Sequence, residues 1–213
     1  MENLQLNEQS GVRTAAKIIS FVFHPLLMAT YLVAVLGIFF PAMLMISLKS
    51  LKLVVLFVFA FTFFVPAVNL WLFRFLGNIT SLQLESQQER KLPFVFISIM
   101  YIVVASLFYF KLPFNSNFNK LMLIVATLVV TATVITFFLK VSVHSLAMGG
   151  WVGILLPLVR FSPELLWPTA SIIGLSGLVI SSRLILNAHT LRETVIGVIA
   201  GLLVGYGGMV VLF

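Results

Sequence analysis

The sequence contains no aspartate and no cysteine, and only 9% of its 213 residues are charged. Each absence excludes something. Without Cys there is no disulfide, no thiolate metal site and no cysteine nucleophile. Without Asp there is no aspartate cluster to hold Mg²⁺ on a diphosphate, which disfavours a prenyltransferase-type enzyme on a helical bundle. The acidic groups are Glu2, Glu8, Glu85, Glu89, Glu164 and Glu193 and no others. A soluble domain carries about 25% charged residues. This chain, 61% hydrophobic with a mean hydropathy of +1.17, reads instead as an integral membrane protein. Its apolar runs do not alternate, which excludes a β-barrel. The first 17 residues lack the basic start and short apolar core of a signal peptide and read as a polar tail or surface helix.

A membrane-crossing helix needs about 20 mostly apolar residues. Runs at 18–40, 51–76, 92–110, 121–139, 146–159, 165–182 and 195–213 give seven crossings. The run at 146–159 is short and glycine-rich, so a tilted or re-entrant course there would leave six. The expected fold is therefore all-α: a polytopic transmembrane bundle of six to seven spans, with a polar tail over 1–17 and one domain over 18–213. Two crossings separate Arg90–Lys91 from His144, and two more separate His144 from Arg183 and His189. An even number returns the chain to the same face each time. The three most polar connections, ESQQERKLP, KVSVHS and SSRLILNAHTLRE, are thereby placed on one side, where they could build one pocket.

Ionisable groups beside membrane-grade sequence are costly and point to a functional site. His189 and Glu193 are four apart, which puts them on one helical face. A carboxylate there can hold one imidazole nitrogen and leave the other as a nucleophilic lone pair. Arg183 offers a planar fork of donors for a phosphate. His144 is placed to give a proton to a leaving group, and Ser142 to donate to a phosphoryl oxygen. Gly149 and Gly150 would let backbone approach, and Arg90 and Lys91 add cationic donors. Two imidazoles, several cations, one orienting carboxylate and no metal-ligand set suit phosphoryl transfer through a phosphohistidine.

The stretch Ser182-Arg183, five residues, His189, three residues, Glu193 resembles the third signature of the type 2 phosphatidic acid phosphatase superfamily, which has Asp at the last place. KVSVHS is similar to that family's Pro-Ser-Gly-His segment, and ERKLP stands where the family has Lys, six residues, Arg-Pro. The resemblance spans about 83–213, which it implies is the catalytic core of a phosphatidic-acid-phosphatase-like bundle. It implies His189 as nucleophile, Glu193 as its orienting partner and His144 as general acid. Arg183, Ser142 and Arg90 would hold the phosphate, with Lys91 as a helper. It also implies removal of phosphate from a lipid phosphate or isoprenyl diphosphate without metal or other cofactor. Four departures stand out: Glu193 for Asp, Val143 for Gly, Gln83 for the first lysine, and Pro93 three beyond Arg90 instead of next to it.

Blander roles compete at several positions. Thr190 to Glu193 reads as a capping box, and that role does not exclude the catalytic one. Arg192 and Lys140 read as interface anchors. His24, followed by Pro25, can line the cavity but reads as a satisfied structural residue beside a kink, outside the site. Asn69 and Asn187 read as interhelical hydrogen bonders, and the four-residue repeat Gly197, Gly201, Gly205 as close helix packing. Counting Lys and Arg, the site face carries Arg13, Lys17, Arg74, Arg90, Lys91, Lys140, Arg183 and Arg192. The other carries Lys49, Lys52, Lys111, Lys120 and Arg160. With Arg90, Lys91 and Arg183 set aside the two are level, so positive-inside counting assigns no side. The net charge of +7 suits anionic membrane lipid as partner. The expected location is a bacterial inner (cell) membrane, with no nucleic acid partner. The alternative to an enzyme is a membrane protein that binds or transports an anionic lipid without turnover.

Overall fold

The computed structural model describes residues 2–82, 84, 86–111 and 115–213, with side chains from Ser10 onward. All regular structure among these residues is helical. The order is α1 (Glu2–Val22), α2 (Pro25–Phe39), α3 (Pro41–Leu44), α4 (Leu48–Phe59), a π turn (Ala60–Phe64), α5 (Val65–Phe75), α6 (Gln87–Phe110), α7 (Ser116–Phe138), α8 (Val143–Val159), a 3₁₀ turn (Pro163–Leu165), α9 (Leu166–Ile185) and α10 (Leu191–Leu212).

Five of these stretches are long and apolar enough to cross a membrane: Leu48–Phe75, Gln87–Phe110, Ser116–Phe138, Pro163–Ile185 and Leu191–Leu212. Only 22% of the Leu191–Leu212 window is buried in the protein, and Trp167 and Val211 stand about four-fifths exposed. Apolar surface on that scale is covered by lipid. The chain is a multi-pass helical membrane protein.

The expected first crossing at 18–40 is not one straight rod. The helix already runs through the polar segment before it and then bends by 63° between Ser10–Val22 and Pro25–Phe39. Pro25 explains the break, because its ring fixes φ, removes a donor and belongs at the first position of a new helix. Counted as one span, the bent pair makes six. The run at 146–159 becomes the 17-residue α8, shorter than a full crossing and buried along most of its length.

Sequence chemistry sets the helix starts that matter for the site. Ser86 accepts from the Glu89 N–H at 3.2 Å and starts α6 early, so Arg90 and Lys91 lie on helix instead of loop. Ser142 accepts from the Ser145 N–H and starts α8, which puts His144 in its first turn. Thr190 accepts from the Glu193 N–H and starts α10. Helix α9 ends in a Schellman turn: the Ala188 N–H donates to Arg183 O and the Asn187 N–H to Leu184 O, with Asn187 at φ 52°. Asn187 is thus an exposed left-handed cap and not an interhelical bonder. The Asn69 Oδ1 is buried without a partner, so that residue does not bridge helices through its oxygen either.

Helices α8 and α10 pack backbone on backbone. A Cβ at Gly197 would meet Ser142 O, one at Gly201 would meet Leu146 O, and one at Gly205 would meet Gly150 O. The glycine repeat does what its spacing predicts. Gly149 takes part from the other side, against Val198 O, and Gly150 faces Leu128. These two glycines therefore let helices approach each other, and the ligand-approach role expected of them is withdrawn.

The π turn has a definite cause. Pro66 has no N–H to give the Thr62 carbonyl, and that carbonyl instead accepts the Tyr101 hydroxyl at 2.9 Å. The Val65 N–H reaches back to Ala60 O, five residues away, which widens the helix. Between α6 and α7, Ser98 and Thr133 share a hydroxyl hydrogen bond of 2.6 Å. Interhelical bonds of this kind contribute roughly 0.6 kcal/mol each in a bilayer.

Candidate functional site

Five histidine and arginine side chains from five places in the chain line one cavity of about 160 Å³. They are His24 at the α1–α2 bend, Arg90 on α6, His144 on α8, Arg183 on α9, and His189 in the α9–α10 turn. All five lie at helix ends on the same side of the bundle. From there the wall becomes apolar and continues past Ile97, Leu128 and Ala132 to Tyr101 and Trp151. Along α6 the distance from Arg90 to Tyr101 is about 16 Å at 1.5 Å per residue. The cavity thus has a charged end and an apolar shaft below it.

His189 is buried, and its Nδ1 is 2.6 Å from Glu193 Oε2. A carboxylate only accepts, so Nδ1 carries the proton and Nε2 keeps its lone pair. The Schellman turn folds His189 back over the last turn of α9, and the Thr190 cap fixes the start of α10. The capping-box reading is half right: the Glu193 N–H goes to Thr190 Oγ1 at 3.3 Å, while its carboxylate goes to His189. Burial pushes the His189 imidazole down to about 4 from an ordinary 6.5, and the charges of Arg90 and Arg183 push the same way. The hydrogen bond and charge of Glu193 oppose them. At neutral pH the ring is uncharged, with a lone pair on Nε2.

His144 is held differently. Its Nε2 lies 3.1 Å from the Ser20 carbonyl on α1, which can only accept, so Nε2 bears a proton and Nδ1 is the end left for chemistry. The two histidine segments are also joined through backbone, since the Ser142 N–H donates to Glu193 O at 3.2 Å.

The two arginines divide the cation work. Arg90 is buried and braces the cavity: its Nε donates to Leu84 O at 2.6 Å and its Nη1 to Val141 O at 3.0 Å. Leu84 sits at φ 50°, a costly conformation for a leucine, held by packing against Phe73 and Ile79. Arg183 is the freer of the pair. Its buried Nε has no hydrogen-bond partner, which leaves an uncompensated donor beside the cavity.

Two expected phosphate ligands are not on the cavity wall. Ser142 is buried as the cap of α8, its Oγ accepting from the Ser145 N–H and hydroxyl at 3.3 and 2.9 Å. Helix capping took that hydroxyl, and Ser-x-x-Ser ahead of an apolar run was the sequence signal for it. Lys91 points the other way, its Nζ 5.8 Å from the centre of the Phe137 ring. One helical position after Arg90 is a rotation of about 100°, enough to leave the cavity. Val143 stands in ordinary helix and needs no positive φ. Gln83 lies outside the described residues.

His24, set aside in the sequence reading, is a wall of the cavity, its ring centroid 5.9 Å from that of His144 at an interplanar angle of 78°. Ser20 was not singled out at all, and a backbone carbonyl gives no sequence signal. For His24 a signal existed: an ionisable group inside an apolar run, next to a proline. Among the described residues no three His or Glu side chains gather as a metal-holding group.

The fold and the site together define a multi-pass helical membrane protein with a histidine–arginine pocket above an apolar shaft. Comparison with protein-family models, with curated proteins and with solved structures gives no match.

Proposed function

We propose that the protein is a metal-independent phosphatase of the type 2 phosphatidic acid phosphatase superfamily, acting on a membrane lipid phosphate or isoprenyl diphosphate. One observation carries the reading: a histidine with a carboxylate on Nδ1, and hence a free Nε2 lone pair, shares a cavity with an unpartnered arginine donor. The lipid part rests on the shaft between α2, α6, α7 and α8, which accommodates a hydrocarbon chain below the charged end.

In this mechanism the His189 Nε2 attacks phosphorus while the phosphate oxygens rest on Arg183 and Arg90. The bond from phosphorus to the leaving oxygen breaks, and that oxygen takes a proton from the Nδ1 of a protonated His144, whose Nε2–H stays on Ser20. Water then attacks the phosphohistidine, its proton passes to His144 Nδ1, and phosphate leaves with His189 restored. Glu193 keeps Nδ1 of the nucleophile protonated throughout.

Purified protein in detergent, given phosphatidic acid, phosphatidylglycerophosphate or a polyprenyl diphosphate, is expected to release phosphate with EDTA present. Vanadate, which mimics five-coordinate phosphorus, is expected to inhibit it. His189→Ala should be inactive, and His144→Ala slower by about 10²–10⁴-fold. Full activity in either variant overturns the assigned roles. The second reading, binding of an anionic lipid without turnover, is favoured by the loss of Ser142 and Lys91 from the wall, which thins the pocket's donors. On that reading no substrate yields phosphate, yet Arg183→Ala still loses lipid affinity.

A further inference from the structure

His24 occupies two roles at once, and each is set by a different nitrogen. Its Nδ1 accepts the Leu26 N–H at 3.3 Å, which caps the start of α2 directly after the 63° bend. An atom that accepts an N–H is unprotonated, so a neutral His24 carries its hydrogen on Nε2. That nitrogen is on the opposite edge of the ring from the capped amide. The ring itself lines the cavity, edge-on to His144 and near Phe63.

The donors that the other polar groups of the pocket leave over are cationic, the unpartnered Arg183 Nε–H and the remaining N–H groups of Arg90. His189 Nδ1–H is held by Glu193, His144 Nε2–H by the Ser20 carbonyl, and two Arg90 N–H groups by Leu84 and Val141. Ser142, the hydroxyl expected to donate to a phosphoryl oxygen, is buried off the cavity wall as the cap of α8. A neutral N–H donor is the missing kind of group.

We propose that His24 is a third imidazole of the anion site, donating its Nε2–H to an oxygen of the bound phosphate while its Nδ1 caps α2. No proton is transferred, since a neutral imidazole that lost this hydrogen would become an anion; the group binds and polarises. The inference rests on the reading of the cavity as a phosphate site, but not on turnover.

Two substitutions separate the roles, because an asparagine amide reaches the place of Nδ1 and a glutamine amide the place of Nε2. The full-length protein in detergent is titrated with inorganic phosphate and with orthovanadate, following the histidine ring nitrogens by NMR alongside thermal stability. In the wild type the anion should shift the Nε2 signals of both His24 and His189. His24→Asn should keep the melting temperature and weaken vanadate binding on the order of tenfold, the scale of one hydrogen bond to a charged acceptor. His24→Gln should melt lower yet keep affinity within about threefold of the wild type. An anion that shifts His189 and leaves His24 unmoved overturns the inference and leaves the phosphatase reading standing, as does undiminished affinity in His24→Asn. Anion-dependent shifts at His24 in a protein that hydrolyses nothing would retain the inference and remove the phosphatase. No binding of either anion removes both.

Discussion

Two of the imidazoles that line the cavity, His144 and His189, are held by opposite kinds of partner. His189 leans on a carboxylate four residues ahead in the same helix start, whereas His144 leans on a main-chain carbonyl 124 residues behind it. A carboxylate carries charge and strengthens the basicity of the far nitrogen, which suits a nucleophile. A carbonyl accepts the same N–H in both the neutral and the charged form of the ring, which suits a group that takes a proton and returns it. The same side chain is thus held in two different tautomers by what lies behind it.

Among changes to the partners behind the rings, the largest expected effect comes from equalising the two. Glu193→Gln presents an amide, which can donate to Nδ1 and move the hydrogen to Nε2, abolishing the lone pair. Phosphate release should fall on the order of 10²–10⁴-fold, as carboxylate-to-amide exchange behind a catalytic histidine does elsewhere. Activity within a few-fold of the wild type would mean the carboxylate does not set the tautomer.

A pH profile sharpens the contrast next. With the His189 imidazole lowered to about 4, the acid limb of kcat/KM should lie near pH 4, well below the ordinary histidine range. An acid limb at 6 to 7 would instead place this ring in contact with water. Stability carries the same sign. The unfolded chain binds this proton more readily than the folded one, so the contribution of His189 is complete above about pH 6.5 and is lost progressively as pH falls toward 4.

Moving the two rings apart should cost less than altering either. Gly197 lies one turn beyond Glu193, and a side chain there would meet Ser142 O, 2.7 Å from an ideal Cβ. Gly197→Val should wedge α10 from α8, reducing stability by roughly 1–3 kcal/mol and activity along with it. The smallest effect should be that of Thr190→Ala, which removes only the helix cap, about 1 kcal/mol by thermal unfolding, with most activity retained.

What could be read from the chain follows the range of each interaction. The His189–Glu193 pair, the Thr190 cap and the glycine repeat are all local, with partners fixed by helical periodicity. Arg90, His144 and Arg183 do line one cavity, but the parity count that placed them together took 146–159 as a full crossing, which the 17-residue α8 is too short to be. The count itself was less legible: a proline inside 18–40 broke one run, and 146–159 made a short buried helix. Ser142 and Lys91 were misplaced because residue type and spacing do not say which way a side chain turns once a cap or a neighbouring ring competes for it. His24 and Ser20 escaped for the related reason that their partner, His144, arrives from the far end of the chain.

The Ser20 contact is made by an atom that every amino acid possesses. Replacement of the serine would leave the acceptor behind His144 in place and break only the buried 3.0 Å hydroxyl hydrogen bond between Ser20 and Ser182. Exchanging side chains one at a time would pass over what holds His144; only a change in the course of the main chain near the bend would bring it to light.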